Sequence, residues 1–167
     1  PSVDELRWPT MRLIRETLAK KDADGVEVVA PKDFDQGGLS LVRNVKVISL
    51  DFGFEPFLEP GDAVVVGVNS NDVILAVLLL HERMERQHGQ GLSGLILSCR
   101  QVGGLSPQIQ EIVANSDLPT MLVALDSASI VQKIEAMDVK IQPYDVGKKA
   151  LIAAAFQGLD LLPGLIT

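Results

Sequence analysis

Residues 61–80, GDAVVVGVNSNDVILAVLLL, decide how the chain is read. Asp62 to Val66 is rich in β-branched residues and lacks polar alternation, which predicts a strand covered on both faces. Asn69, Ser70, Asn71 and Asp72 supply turn formers and a helix N-cap. Val73 to Leu80 is apolar at every position, the pattern of a helix packed hard against a sheet. The polar turn of such a β-α unit stands at the carboxyl end of a parallel strand, where open α/β sheets keep their ligand crevices.

Downstream, HERMERQH (81–88) carries the helix out into solvent and the glycines of 89–91 terminate it. SGLILS (93–98) is the next buried strand and CRQVGGL (99–105) a loop. Ser106 followed by Pro107 marks a helix start over 108–115 in the preferred N-cap then N1 order. PTMLVAL (119–125) predicts a strand, and residues 126–129 turn it into a helix over 130–136. A short strand at 139–141 and a helix over 145–157 complete the pattern, and the apolar tail GLDLLPGLIT must pack on this domain or on a neighbour.

Upstream, Pro9 and Thr10 open a helix on which Met11, Ile14 and Leu18 recur at helical spacing. Residues 25–30 and 42–50 read as two further strands, joined by a loop rich in Asp and Gly. Pro56 and Pro60 keep the connector of 51–61 from forming a long helix. Strands alternating with helices predict an α/β fold: a three-layer, mostly parallel sheet of about five strands with helices on both faces. The expected organisation is a lead-in with an N-terminal helix over 1–24, an α/β domain over 25–158 and the tail over 159–167.

The bulk numbers narrow the function classes. With 167 residues, one domain with one sizeable core is the default. Acidic residues outnumber basic ones, 22 to 15, so neither nucleic acid nor an anionic membrane surface is the expected partner. A single cysteine rules out an internal disulfide and suits a reducing compartment, cytoplasm or organelle matrix. No apolar run reaches membrane-spanning length. The start, PSVDELRWPT, has neither Met nor a signal-peptide pattern, and the chain is expected to be a piece of a longer protein.

Three loops carry the candidate chemistry. In the loop of 99–106, Cys99, Arg100, Gly103, Gly104 and Ser106 lead into a helix start whose free N–H groups suit a small anionic metabolite, with Arg100 as counter-charge. The plainer reading is a βα loop with a capping Ser. Cys99 as a nucleophile needs a base, and no His is near it in sequence. Asn69, Ser70 and Asn71 suit ligand hydroxyls or helix capping, and Asp72 at the dipole's positive end disfavours phosphate there. Asp126 and Ser127 close the third loop. His81, Glu85 and His88 share a helix face, but HExxH is absent and a solvated polar helix end accounts for them, so no metal and no cofactor is expected. GQGLSG (89–94) matches GxGxxG by letters, yet it follows a helix and precedes a strand, the reverse of the dinucleotide fingerprint.

Together, GDAVVVGVNSNDVILAVLLL, GLSGLILS, GGLSPQIQEIVANSDLPTMLVALDS and KIEAMDVKIQP resemble the DRTGG domain. That domain is the middle module of long bacterial phosphate acetyltransferases and of relatives joined to a P-loop, dethiobiotin-synthetase-like domain. The resemblance runs over about 26–155. The family's Asp-Arg pair would fall near Asn69 and Ser70, which do not match it. Its Thr-Gly-Gly would begin near Ser98, but four residues intervene before Gly103 and Gly104. The resemblance implies a non-catalytic regulatory or oligomerising domain, a homodimer or one docked on another domain or protein. The alternative is a domain sensing a nucleotide or organic acid at the carboxyl ends of the strands.

Overall fold

The computed structural model describes residues 8–19, 26–30, 41–48, 57–99 and 104–137. Along the chain the elements are α1 (Met11–Ala19), β1 (Val26–Ala30), β2 (Val45–Ile48), β3 (Ala63–Gly67), α2 (Asn71–His88), β4 (Gly94–Ser98), α3 (Pro107–Asn115), β5 (Thr120–Val123) and α4 (Ser127–Glu135). The five strands form one sheet in the order β1-β5-β4-β3-β2. β2 to β5 are parallel to one another, and β1 pairs antiparallel with β5 at one edge. The predicted strand and helix at 139–157 and the tail lie outside the described residues.

The layering follows from chain direction. From β2 to β5 every strand is laid down on the same side of the last, so right-handed crossovers deliver α2 and α3 to one face. Val64, Val66, Leu95, Leu97 and Leu122 point into that face and meet Ile74, Val77, Ile109 and Val113. The opposite face carries Val65, Ile96, Met121 and Val123, covered by Met11, Ile14 and Leu18 of α1 and by Ile130 and Ile134 of α4. Because β3, β4 and β5 have both faces covered, their inward positions are apolar throughout instead of alternating. This is the three-layer α/β arrangement that the sequence predicts.

Element ends obey their local chemistry. Thr10 Oγ1 accepts the Leu13 N–H at 3.2 Å and starts α1. Gly89 closes α2 in the left-handed conformation, φ 71°, donating its N–H to Glu85 O. Ser106 caps α3 with Pro107 in its first turn. The helix predicted over 130–136 begins earlier, at Ser127, because the Asp126 carboxylate accepts from Ser129 N–H and fixes the first turn there.

The apolar run of Val73 to Leu80 packs on the sheet as expected, with Leu79, 66% exposed, on the outer side, but one reading of α2 needs correction. His81, expected on a solvated helix end, is only 4% exposed. The reason is periodicity: His81 stands four residues after Val77 and three before Met84, both on the buried stripe.

Candidate functional site

Parallel strands bring their carboxyl ends to one edge, and the three loops singled out in the sequence meet there. Val68 N–H donates to Ser98 O at 3.0 Å, joining the ends of β3 and β4. Cys99 N–H donates to Leu125 O at 2.9 Å, joining β4 to the β5–α4 loop. Ser98 Oγ lies 2.9 Å from Ser127 Oγ and 3.4 Å from Val66 O, so one buried hydroxyl ties β4 to α4 and to β3. Ser98 was missed as a candidate, although a lone hydroxyl closing an apolar strand (GLILS) is a visible signal.

Each predicted residue has a place on this edge. Asn69 and Asn71 are exposed, one in the turn after β3 and the other at the start of α2. Ser70 occupies the N-cap position of α2, yet its side chain makes no capping bond, its backbone lying at φ −88° and ψ 68°. The cap predicted from this turn is therefore positional only. Cys99 is partly exposed and takes φ 60°, the left-handed region that side chains with a Cβ avoid. Gly104 is exposed and Ser106 half-buried, its Oγ accepting from Ile109 N–H at 3.4 Å. Arg100 and Gly103 lie outside the described residues.

Asp126 is exposed and already committed. Its carboxylate accepts from Ser129 N–H at 2.8 Å and Ser129 Oγ–H at 3.0 Å. Those two bonds hold its carboxyl below the ordinary range. With a carboxylate seated on it, the start of α4 disfavours an anion. The start of α3 carries no acidic residue in its first turn and differs in this respect.

The amino edge holds the ionic groups. Asp62, fully buried just before β3, lies 2.8 Å from Lys46 Nζ and 3.7 Å from Arg43 Nε, and accepts the Glu59 N–H at 2.9 Å. Arg43 also pairs with Glu59, and Lys46 donates to Phe57 O. On the α2–α3 face, His81 Nδ1 accepts the Leu92 N–H at 3.0 Å, while Nε2 lies 2.7 Å from Asp117 and 3.1 Å from Glu85. The Leu92 bond assigns the neutral ring's hydrogen to Nε2. Partial burial, then a hydrogen bond with Asp117, pushes the Glu85 carboxyl up. Burial works against the charged form of Asp117 too, but bonds from Glu85 and His81 outweigh it and hold that carboxyl down.

These features sit in a chain whose residues 37–137 match the family model of the DRTGG domain. The chain belongs to the DRTGG-domain family. Among solved structures it is similar to the CBS and DRTGG domains of the regulatory region of Clostridium perfringens pyrophosphatase, complexed with the activator diadenosine tetraphosphate. The identity is 14% and the TM-score 0.52, over 91% of this chain and 61% of that one, a likeness of fold. The chain thus spans about three fifths of that structure's length. No curated protein matches. Within this DRTGG domain, no described helix is long and apolar enough to cross a membrane.

Proposed function

We propose that this DRTGG domain is a non-catalytic regulatory module whose carboxyl edge is the responsive face. The observation that carries the reading is the separation of Cys99 from both histidines. Cys99 follows the carboxyl end of β4, whereas His81 bonds the lead-in to β4, roughly 16 Å away along a five-residue strand. His88 ends α2, which runs back from the carboxyl edge to the amino edge. The chain has only these two histidines, so its one thiol lacks an imidazole base.

The ligand class that fits is a small anionic metabolite, a nucleotide or an organic acid, taken at the start of α3 beside Cys99, Gly104 and Ser106, with Asn69, Ser70 and Asn71 opposite. The regulatory region of the pyrophosphatase relative, solved with a dinucleotide activator, supports testing nucleotides first. A thermal-shift series with diadenosine tetraphosphate, simpler nucleotides and acetyl phosphate tests this. A shift lost on Arg100→Ala supports the anion loop, and no response to any of them removes it.

Assembly is the second reading, favoured by Leu79 and Ile112, exposed at 66% and 45% on the helices of one face. Light scattering decides it, since a strict monomer at micromolar concentration removes a dimerising role. The module would act within a larger protein such as a phosphate acetyltransferase-like enzyme. The single cysteine suits work in the cytoplasm or an organelle matrix.

A further inference from the structure

We propose that His81, Glu85 and Asp117 form a proton-operated latch that holds the lead-in of β4 against α2 while His81 is neutral and releases it when His81 is protonated. Three parts of the chain meet at this ring. It projects from α2, accepts Leu92 N–H through Nδ1, and donates through Nε2 to Asp117, with a Glu85 oxygen 3.1 Å from the same nitrogen. The ring lies so close to the backbone that a Cβ on Gly91 would stand 2.2 Å from Nδ1. No water fits between them.

A proton arriving at Nδ1 turns an acceptor into a donor and sets two N–H groups against each other. The ring must then leave Leu92. Asp117, 65% exposed, keeps the imidazolium as a partner on the outer side, so the released ring has somewhere to go. The same tautomer argues for protons over a metal ion. Nε2 presents a hydrogen to the two carboxylates, and a cation there would require an imidazolate or the loss of the Leu92 bond.

Among the described residues the charged surroundings are few. On α2, Glu82 and Arg86 share a groove with Glu85. The α3–β5 turn brings Asp117, and residues 89–93 (Gly, Gln, Gly, Leu, Ser) bring no titratable side chain. Of the two carboxyls beside the ring, Glu85 is held up and Asp117 held down, which leaves Asp117 as the anion for the ring.

The test is long-range proton–nitrogen NMR of the two histidines in the whole chain, from about pH 8 to about pH 5. Protection of the Leu92 amide against hydrogen exchange is followed alongside, with exposed His88 as internal reference. The neutral His81 should carry its hydrogen on Nε2, and Leu92 protection should fall roughly threefold to tenfold as His81 titrates. His81→Asn, whose Oδ1 accepts in place of Nδ1 and cannot titrate, should keep Leu92 protected throughout. Three results overturn the latch: a hydrogen on Nδ1 of the neutral ring, Leu92 protection unchanged through the His81 titration, or a ring that stays neutral until acid unfolds the chain. None of these requires the variant to fold.

Discussion

At the amino end of the sheet, polar groups are paired across elements. Asp62 meets Lys46 and Glu59 N–H, and Ser93 Oγ lies 2.6 Å from Leu41 O and 2.9 Å from Gly61 O. Gly61 N–H reaches Gly91 O, and His81 joins α2 to Leu92 and Asp117. At the carboxyl end, the buried side-chain links among the described residues come from one hydroxyl, Ser98 Oγ, which reaches Ser127 Oγ and Val66 O, and the other bonds there are backbone links and caps local to one helix. A paired edge resists rearrangement, because each contact removed leaves a buried partner stranded. An edge of solvated caps costs little to reshape. Apart from the proposed His81 latch, the contrast divides the domain into a scaffold end and the end proposed to respond to a ligand, and each half of it can be attacked separately.

Asp62→Ala should have the largest effect. Its carboxylate is wholly buried, and truncation strands the Glu59 N–H, takes the ion-pair partner from Lys46 and leaves the buried Arg43 Nε without its nearby charge. Because both cations remain partly open to water, the loss should fall near the low end for a broken buried pair, about 3 kcal/mol in urea unfolding. Ser98→Ala at the other edge should cost only about 1 kcal/mol, the value of one hydrogen bond. Equal losses would erase the distinction between the two ends.

Next in size, and opposite in sign, is Cys99→Gly. At φ 60° the Cβ is held against the carbonyl oxygen, a cost that glycine lacks. The substitution should stabilise the fold by about 1 kcal/mol. Its purpose is to ask whether strain at the responsive edge is retained for binding. If Cys99→Gly raises the unfolding temperature but abolishes a ligand-induced shift, the strained residue belongs to the site.

Asp126 provides a pH test of the same edge. Its folded-state carboxyl lies below the ordinary 3.8, so the cap contributes fully above that value and loses its contribution as pH falls through the lower folded value. Asp126→Asn keeps a capping oxygen without the charge. The wild type should therefore be the more stable at neutral pH, and the advantage should shrink as pH drops through and below about 4. Thermal melts across that range measure it, and a constant difference would mean that Asp126 acts by something other than its charge. Glu85 at the scaffold end has the opposite sign. Its raised carboxyl favours the fold at low pH, and that benefit is lost as pH rises through the folded-state value.

What could be read from the sequence follows the range of the interactions. The strands around Val64, Ile96 and Leu122 and the helix of Val73 to Met84 announce themselves through hydrophobic patterns a few residues long. Once β3, β4 and β5 are parallel, their loops must share an edge, so the meeting of Asn69, Cys99 and Asp126 follows without coordinates. Asp62 with Lys46, His81 with Asp117, and Ser98 with Ser127 are separated by 16 to 36 residues, and which partners meet depends on strand register and on how the helices pack. His81 is the instructive miss. Its charged neighbours suggested solvent, while its spacing from Val77 and Met84 placed it on the buried stripe.

The smallest expected effect is the most discriminating for the turn after β3. A Ser at an N-cap ordinarily contributes about 1 kcal/mol, and replacing it with Ala removes that amount. Ser70 makes no such bond, and Ser70 N–H is already satisfied by Gly67 O at 3.0 Å. Ser70→Ala should consequently change stability by no more than roughly 0.3 kcal/mol, the scale of an uncoupled surface change. A loss near 1 kcal/mol would mean that the hydroxyl swings into the capping position in solution, and the turn would then belong with the capped ends. A null result leaves Ser70 Oγ half-buried, facing the carboxyl edge and uncommitted to its own helix. Titrating Ser70→Ala with a ligand found for that edge then asks, at no cost to the fold, whether this hydroxyl serves the proposed site.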